Sequence, residues 1–329
     1  GSKNASLPIL AATLLLNKVR LHNIPLVKDI DTMLDLLSSL GSKIDLNKKK
    51  KYVDISNPKN NKTVAHYKLV KTMRAGVLVL GPLLSKYGKA KISLPGGCAI
   101  GLRPVNLHIE ALKKMGAKIK IFEGYIYATA RNGLKGSKIT FPKISVGATE
   151  NILIAACLAK GVTLLNNCAN EPEVKDLSNF LNKIGCKIKW LGKRKIKVEG
   201  TRNLKNVSYK VMFDRIEAGT YMIVAAATRG RIAIKNIKPE IINTETQILK
   251  KIGVKIIEKK NKITVIGAKK LKSINLNTSP YPGFPTDLQA QLMVLMCQAK
   301  GRSIIKENIF ENRFMHVPEL NRMGADIIV

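Results

Sequence analysis

Residues 111–121 read ALKKMGAKIKI, and the pattern returns as LLSSLGSKIDL at 36–46, FLNKIGCKIKW at 180–190, ILKKIGVKIIE at 248–258 and ELNRMGADIIV at 319–329. In every copy apolar residues at helical spacing run up to a glycine (Gly41, Gly116, Gly185, Gly253, Gly324). Glycine can take the left-handed conformation that closes a helix, and the alternation after it predicts a half-buried strand. Upstream lies a second shared piece, an apolar helix that stops near a glycine and feeds a strand: ILIAACLAKGVTLLN, YMIVAAATRGRIAIKN and LMVLMCQAKGRSIIKE, with Gly161, Gly230 and Gly301 as stops. Downstream, KKYVDIS, GYIYATA, RKIKVEG and NKITVIG predict one more strand each. The repeat is helix, strand, helix, strand, strand, at a period of about seventy residues, too long for a solenoid and suited to a closed, pseudo-symmetric α/β globule.

The first copy opens on GSKNASLP with no strand in front, and the fifth stops before its closing strand, so the chain reads as clipped at both ends. At 329 residues two domains are expected. The uncharged runs from Asn151 and Tyr221 fall short of the roughly 20 residues that cross a bilayer and predict buried helices, with no membrane span. Five cysteines show no C-x-x-C pair, and neither they nor the histidines have metal-ligand spacing. A reducing cytoplasmic setting is expected, with no metal and no cofactor. Nothing in the sequence sets an oligomeric state.

The formal charge of +35 invites a nucleic-acid reading, but only 12 of the 57 basic residues are Arg and aromatics make up 5%. A solvated lysine surface explains the charge better, and no nucleic-acid partner is expected. Such a surface still concentrates small anions near any cleft it lines.

The loop between the first strand and second helix of the repeat is short in three units. In two it is long: LPGGCAIGLRP at 94–104 and KENIFENRFMHVPE at 306–319. Long loops on a repeated scaffold are where binding groups sit. Cys98 lies on the glycine-rich loop with Arg103 nearby, which suits an accessible thiol of lowered pKa, whereas Cys157 and Cys297 read as small buried hydrophobes. Arg74, Arg103 and Arg313 stand out where Lys is the rule and suit bidentate recognition of phosphate or carboxylate; surface ion pairs are the ordinary alternative. Asp287, Glu171, Glu173 and Asp214 stand at helix starts, where capping suffices. Lys3 and Asn4 precede the first helix, a position that favours anions. His108 and His316 read as structural or as substrate-side hydrogen-bond donors.

Taken together, GSKNASLPIL, KTMRAG, LPGGCAIGLRPVNLH, KISVGAT, NEPE, DRIEAGT, FPTDLQAQ and ENIFENRFMHVPEL closely resemble, in this order, the UDP-N-acetylglucosamine 1-carboxyvinyltransferase family of enolpyruvyl transferases. The resemblance covers essentially the whole chain. It implies an α/β fold of two inside-out α/β barrel domains built from such repeats, with residues 1–212 as the first domain and 213–329 as an incomplete second one. It also implies transfer of enolpyruvate from phosphoenolpyruvate to the 3′-hydroxyl of UDP-N-acetylglucosamine, the first committed step of peptidoglycan synthesis. By the same resemblance Cys98 is the general acid and target of the epoxide fosfomycin, and Asp287 takes the hydroxyl proton. Lys3, Asn4, Arg103 and Arg313 cradle phosphoenolpyruvate. Arg74, Arg103, Pro104, Val105, Asn106, Leu107, Lys143, Ile144, Ser145, Val146, Gly147, Asp287 and Ile309 hold the nucleotide sugar. Asn106 stands where the family usually has Asp, and Asn170 where a basic residue usually precedes EPE. A sixth repeat is missing, so unless this chain is a fragment of a longer product, weak or no turnover is expected of it alone. The alternatives are a relative that binds the nucleotide sugar or a partner without turnover and, less favoured, a basic nucleic-acid-binding protein.

Overall fold

The computed structural model describes residues 1–71, 73–94 and 105–329. Cys98, Arg103 and Pro104 lie outside the described residues. The chain divides into two compact units, one ending at Met212 and the other Phe213–Val329.

The first unit holds three repeats. The first is α1 (Lys3–Ala12), β1 (Lys18–His22), α2 (Lys28–Ser39), β2 (Lys43–Asn47) and β3 (Tyr52–Ser56). The second is β4 (Val64–Ala65), α3 (Tyr67–Val70), a 3-10 segment Arg74–Val79, α4 (Leu80–Tyr87), β5 (Lys89–Ser93), α5 (Asn106–Lys114), β6 (Lys118–Phe122) and β7 (Tyr125–Thr129). The third is β8 (Lys138–Thr140), α6 (Val146–Ala156), β9 (Val162–Asn166), α7 (Pro172–Lys183), β10 (Lys187–Gly192) and β11 (Lys195–Glu199), and β12 (Val207–Lys210) follows it.

These strands form three four-stranded sheets, ordered β12-β1-β3-β2, β4-β5-β7-β6 and β10-β11-β9-β8. In each, a short strand lies parallel to the first strand of the repeat: β4 beside β5, β8 beside β9 and β12 beside β1. As expected, no strand precedes α1 in the chain, and the place beside β1 is filled from elsewhere. Val207–Lys210, from beyond the third repeat, fills it, with Val19 opposite Val207 and Leu21 opposite Tyr209. A parallel partner so remote in sequence leaves no local periodicity to read. Alternate residues of β1 and β11 are buried, so these strands turn one face inward. Helix α6 is buried along almost its whole length, and α1 nearly so. A helix apolar all round is stable only when enclosed, so these helices occupy the middle and the sheets lie outside them.

The second unit contains α8 (Arg215–Ala227), β13 (Arg231–Lys235), α9 (Asn243–Ile252), β14 (Lys255–Lys259) and β15 (Lys262–Ile266), then β16 (Asn275–Asn277), α10 (Gln289–Met296), β17 (Ile304–Lys306) and α11 (Val317–Arg322). Its sheets are β13-β15-β14 and the parallel pair β16-β17. Here the sequence reading fails in three places. The run from Tyr221 is not buried all round, since Tyr221 and Val224 are exposed, and so is Cys297 after α10. The helix nearest to α8 is α10, whereas α6 packs against α1, α4, α5 and α7. Among the described residues the fifth copy forms no strand after Gly324, although Asn321 clasps the backbone of Ile327 as Asn182 clasps that of Ile188 in β10.

All five pattern glycines have positive φ, from 93° to 112°. Gly161 and Gly301 do too, but near Gly230 it is Arg229 that turns left-handed, at φ 54°. Gly185 is the tightest of the five, because a Cβ there would stand 2.8 Å from the Asn203 carbonyl oxygen, whereas at Gly116 it would meet nothing within 4 Å. Gly116→Ala is therefore expected to cost about 1–2 kcal/mol from backbone strain alone, and Gly185→Ala measurably more. Urea unfolding of the two variants checks the order.

Candidate functional site

In the first unit, Lys3 and Asn4 occupy the first turn of α1, whose N-cap is Ser2 with its hydroxyl accepting the Ala5 N–H. This end is tied down from a distance. The Ser2 N–H donates to the Met212 carbonyl at 2.9 Å, the Met212 N–H donates to Asp176 at 3.1 Å, and Asp176 also accepts the Tyr209 hydroxyl at 2.7 Å. Burial raises the Asp176 carboxyl above its ordinary range, against the lowering by these two bonds. The half-exposed Lys3 ammonium pairs with Asp29 at 3.1 Å. Reading along the sequence missed Asp176, because its partners lie more than thirty residues away.

Arg74 opens the 3-10 segment that leads into α4, and that segment packs against both α1 and α6. Val105 caps α5, with Asn106 exposed and Leu107 buried behind it. At α6 the exposed Lys143 and the half-buried Ile144 and Ser145 lead into Val146 and Gly147. The Ser145 hydroxyl accepts the Ala148 N–H and its carbonyl accepts the Thr149 N–H, which leaves the N–H groups of Val146 and Gly147 directed outward from the helix. The N-termini of α5 and α6 are joined through His108 and Asn151, 2.9 Å apart. His108 is buried, and its pKa is pushed down to about 4 by burial and by the nearby Arg74.

Behind this end of α6 lies a buried carboxyl, Glu150. Burial holds it well above the usual carboxylate range, reinforced by Glu173 and Glu171 at the start of α7. Glu171 occupies the N-cap position of α7 but makes no side-chain capping bond, so the capping expectation is corrected there. It holds for Asp214, which accepts the N–H groups of Ile216 and Glu217.

In the second unit Asp287 is likewise no cap. It sits in a 3-10 turn, Thr286–Leu288, and its Oδ1 accepts a hydrogen bond from Arg313 at 2.8 Å, while the Arg313 guanidinium lies 5.4 Å over the Phe310 ring. Glu307, which sequence reasoning did not single out, organises this cluster. One of its oxygens accepts the N–H groups of Ile309 and Phe310 and the Thr278 hydroxyl, and the other accepts the Thr286 hydroxyl beside Asp287. One carboxylate thus sets the turn bearing Asp287 and the loop bearing Ile309. The Nε2 of His316 is buried without a partner, and its pKa is lowered by burial and by Arg313.

Among the described residues no helix is long and apolar enough to cross a membrane, and no group of three His, Cys, Asp or Glu side chains could hold a metal ion.

A family model described as EPSP synthase (3-phosphoshikimate 1-carboxyvinyltransferase) matches residues 1–329. The chain is 66% identical to the UDP-N-acetylglucosamine 1-carboxyvinyltransferase of Pelagibacter ubique, covering 100% of this chain and 79% of the relative. It is 53% identical to the enzyme of that name from Rickettsia bellii, with the same coverage, and 51% identical to the one from Geotalea uraniireducens, covering 99% of this chain and 78% of the relative. The fold is that of the enolpyruvyl transferase NikO from Streptomyces tendae, at TM-score 0.89, 20% identity, and coverage of 100% of this chain and 78% of that one. EPSP synthase from Acinetobacter baumannii superposes at TM-score 0.65 and 20% identity over 93% of this chain and 71% of that one.

Two predictions follow from this geometry. Burial raises the Glu150 carboxyl above its ordinary range, so as pH rises above about 4.3, where an unfolded Glu ionises, the buried carboxyl increasingly costs stability. Glu150→Gln removes that cost: the unfolding free energy of the variant minus that of the parent is expected to grow from pH 4 to pH 8, as read by urea unfolding across that range. In the folded protein, maleimide should label the exposed Cys297 before the buried Cys157, Cys168 and Cys186, as read by mass spectrometry of peptides.

Proposed function

This chain belongs to the UDP-N-acetylglucosamine 1-carboxyvinyltransferases within the EPSP synthase family, and on that premise we propose that it transfers the enolpyruvyl group of phosphoenolpyruvate to the 3′-hydroxyl of UDP-N-acetylglucosamine, releasing phosphate, in peptidoglycan synthesis. The observation that carries the reading is identity at about two positions in three over the whole chain to an enzyme of that name.

The chemistry is an addition followed by an elimination. The 3′-oxygen bonds to C2 of phosphoenolpyruvate while C3 takes a proton. The C2–O bond to phosphate then breaks, and the methyl group returns a proton. In this reading Cys98 supplies the proton to C3 and Asp287 accepts the one from the hydroxyl. Lys3, Asn4, Arg103 and Arg313 hold the phosphate and carboxylate and offset charge as it builds. Arg74, Pro104, Val105, Asn106, Leu107, Ile309 and the segment from Lys143 to Gly147 hold the nucleotide sugar. The outward N–H groups at the start of α6 suit its diphosphate. The ion pair to Arg313 holds the Asp287 side chain in one orientation, so Arg313 serves both the anion and the base.

The test is phosphate release from phosphoenolpyruvate that depends on UDP-N-acetylglucosamine. No such release by the protein extended to the full length of its relatives would overturn the reading. Asp287→Asn is expected to lower kcat by about 10²–10⁴-fold, as loss of a general base does, while leaving the melting temperature within a few degrees of the parent's.

A further inference from the structure

His108 bonds Asn151 through one ring nitrogen, and none of the roles assigned above uses the other. The residue lies on α5, is 7% exposed, and the Cε1–Nε2 edge of its ring faces Gly147: a Cβ built on that glycine would stand 3.5 Å from Cε1 and 3.7 Å from Nε2. Its tautomer follows from a chain of backbone contacts. The Gly81 N–H donates to Oδ1 of Asn151 at 2.8 Å, which fixes the orientation of that amide. Nδ2 of Asn151 therefore faces the Val77 carbonyl at 3.1 Å and His108 Nδ1 at 2.9 Å. An amide NH₂ facing Nδ1 makes that nitrogen the acceptor, so the proton of the neutral ring is on Nε2. Glycine is required at residue 81, because a Cβ there would fall 2.3 Å from Asn151 Oδ1.

Nε2–H is thus a donor of a largely buried ring, held at the N-terminal end of α6 near Gly147. Neither it nor the N–H groups of Val146 and Gly147 have an acceptor among the described residues. The nearby Arg74 and the positive end of the α6 dipole both oppose protonation of the ring, and both favour an anion. Donors that converge without an acceptor call for an oxyanion.

We propose that His108 is a binding residue for the nucleotide sugar: its Nε2–H donates to a diphosphate oxygen seated on the Val146 and Gly147 N–H groups at the start of α6. This rests on the functional reading above and adds to it a residue whose neutral form is the working one. The bonds that orient Asn151 also orient the ring, so α4, the 3-10 segment and α5 all set the position of one donor.

Two substitutions, made in the protein extended to the full length of its relatives, separate the contact from a packing role. His108→Asn keeps an acceptor where Nδ1 was and removes the donor at the ε position; His108→Gln does the reverse. The expected result is a crossover. His108→Asn keeps most of the stability but raises KM for UDP-N-acetylglucosamine by about tenfold or more, the usual scale for losing a hydrogen bond to a charged group, with KM for phosphoenolpyruvate unchanged. His108→Gln loses more stability yet keeps the nucleotide-sugar KM within about threefold of the parent's. If the KM changes follow the stability changes, or His108→Asn leaves KM for the nucleotide sugar untouched, the proposal is overturned. Calorimetry with UDP reads the same contact without turnover. No phosphate release by the parent overturns the functional reading, equal UDP affinity of parent and His108→Asn overturns the His108 contact, and a parent that binds no UDP overturns both.

Discussion

The first unit depends on one non-local pairing, the parallel alignment of β12 with β1. Three repeats in a row would otherwise leave the edge of β1 without a partner and the buried helices with an open side. Val207–Lys210 completes the four-stranded sheet of the first repeat just as Val64–Ala65 and Lys138–Thr140 complete the other two. The segment that closes the ring also carries Tyr209 and Met212, and Asp176 grips both. Through Met212 that grip reaches Ser2, and so the turn that presents Lys3 and Asn4. Closure of the fold and placement of a candidate anion-binding turn are the same set of bonds.

Three polar groups, Asn151, Glu307 and Glu150, follow the same logic. A carboxylate or amide buried among apolar helices must be satisfied or neutral. Asn151 is satisfied three times over and uses that rigidity to orient His108. Glu307 is satisfied by two hydroxyls and two N–H groups and uses it to order the loop beside Asp287 and Arg313. Glu150 takes the other course, with burial raising its carboxyl well above the ordinary range and so favouring the neutral form. Side chains near the candidate chemistry are thus placed by second residues that do not themselves stand out in the sequence.

Much of the architecture was legible in advance, since the repeat is local. A glycine that must turn left-handed, with helical spacing before it and alternation after it, is a signal confined to eleven residues, and five such glycines do turn that way. The candidate site was legible wherever a residue type was out of place for its surroundings: an arginine among lysines, a carboxylate in a chain poor in them. What was not legible had partners far off in sequence. Asp176, Asn151 and Glu307 look ordinary until their partners are in place. The exposure of Cys297 and Tyr221 was misjudged because an apolar run says only that a helix is apolar, not how many neighbours will cover it.

The sequence by itself determined the unit of structure, its helix ends and strands, and the family, because each rests on short-range pattern or on residue identity. Tertiary structure alone decided which strand completes the first sheet, which way burial shifts Glu150 and His108, and which side chains hold the candidate groups in place. Those depend on burial and on hydrogen bonds between residues brought together only by folding, and neither can be computed along a line.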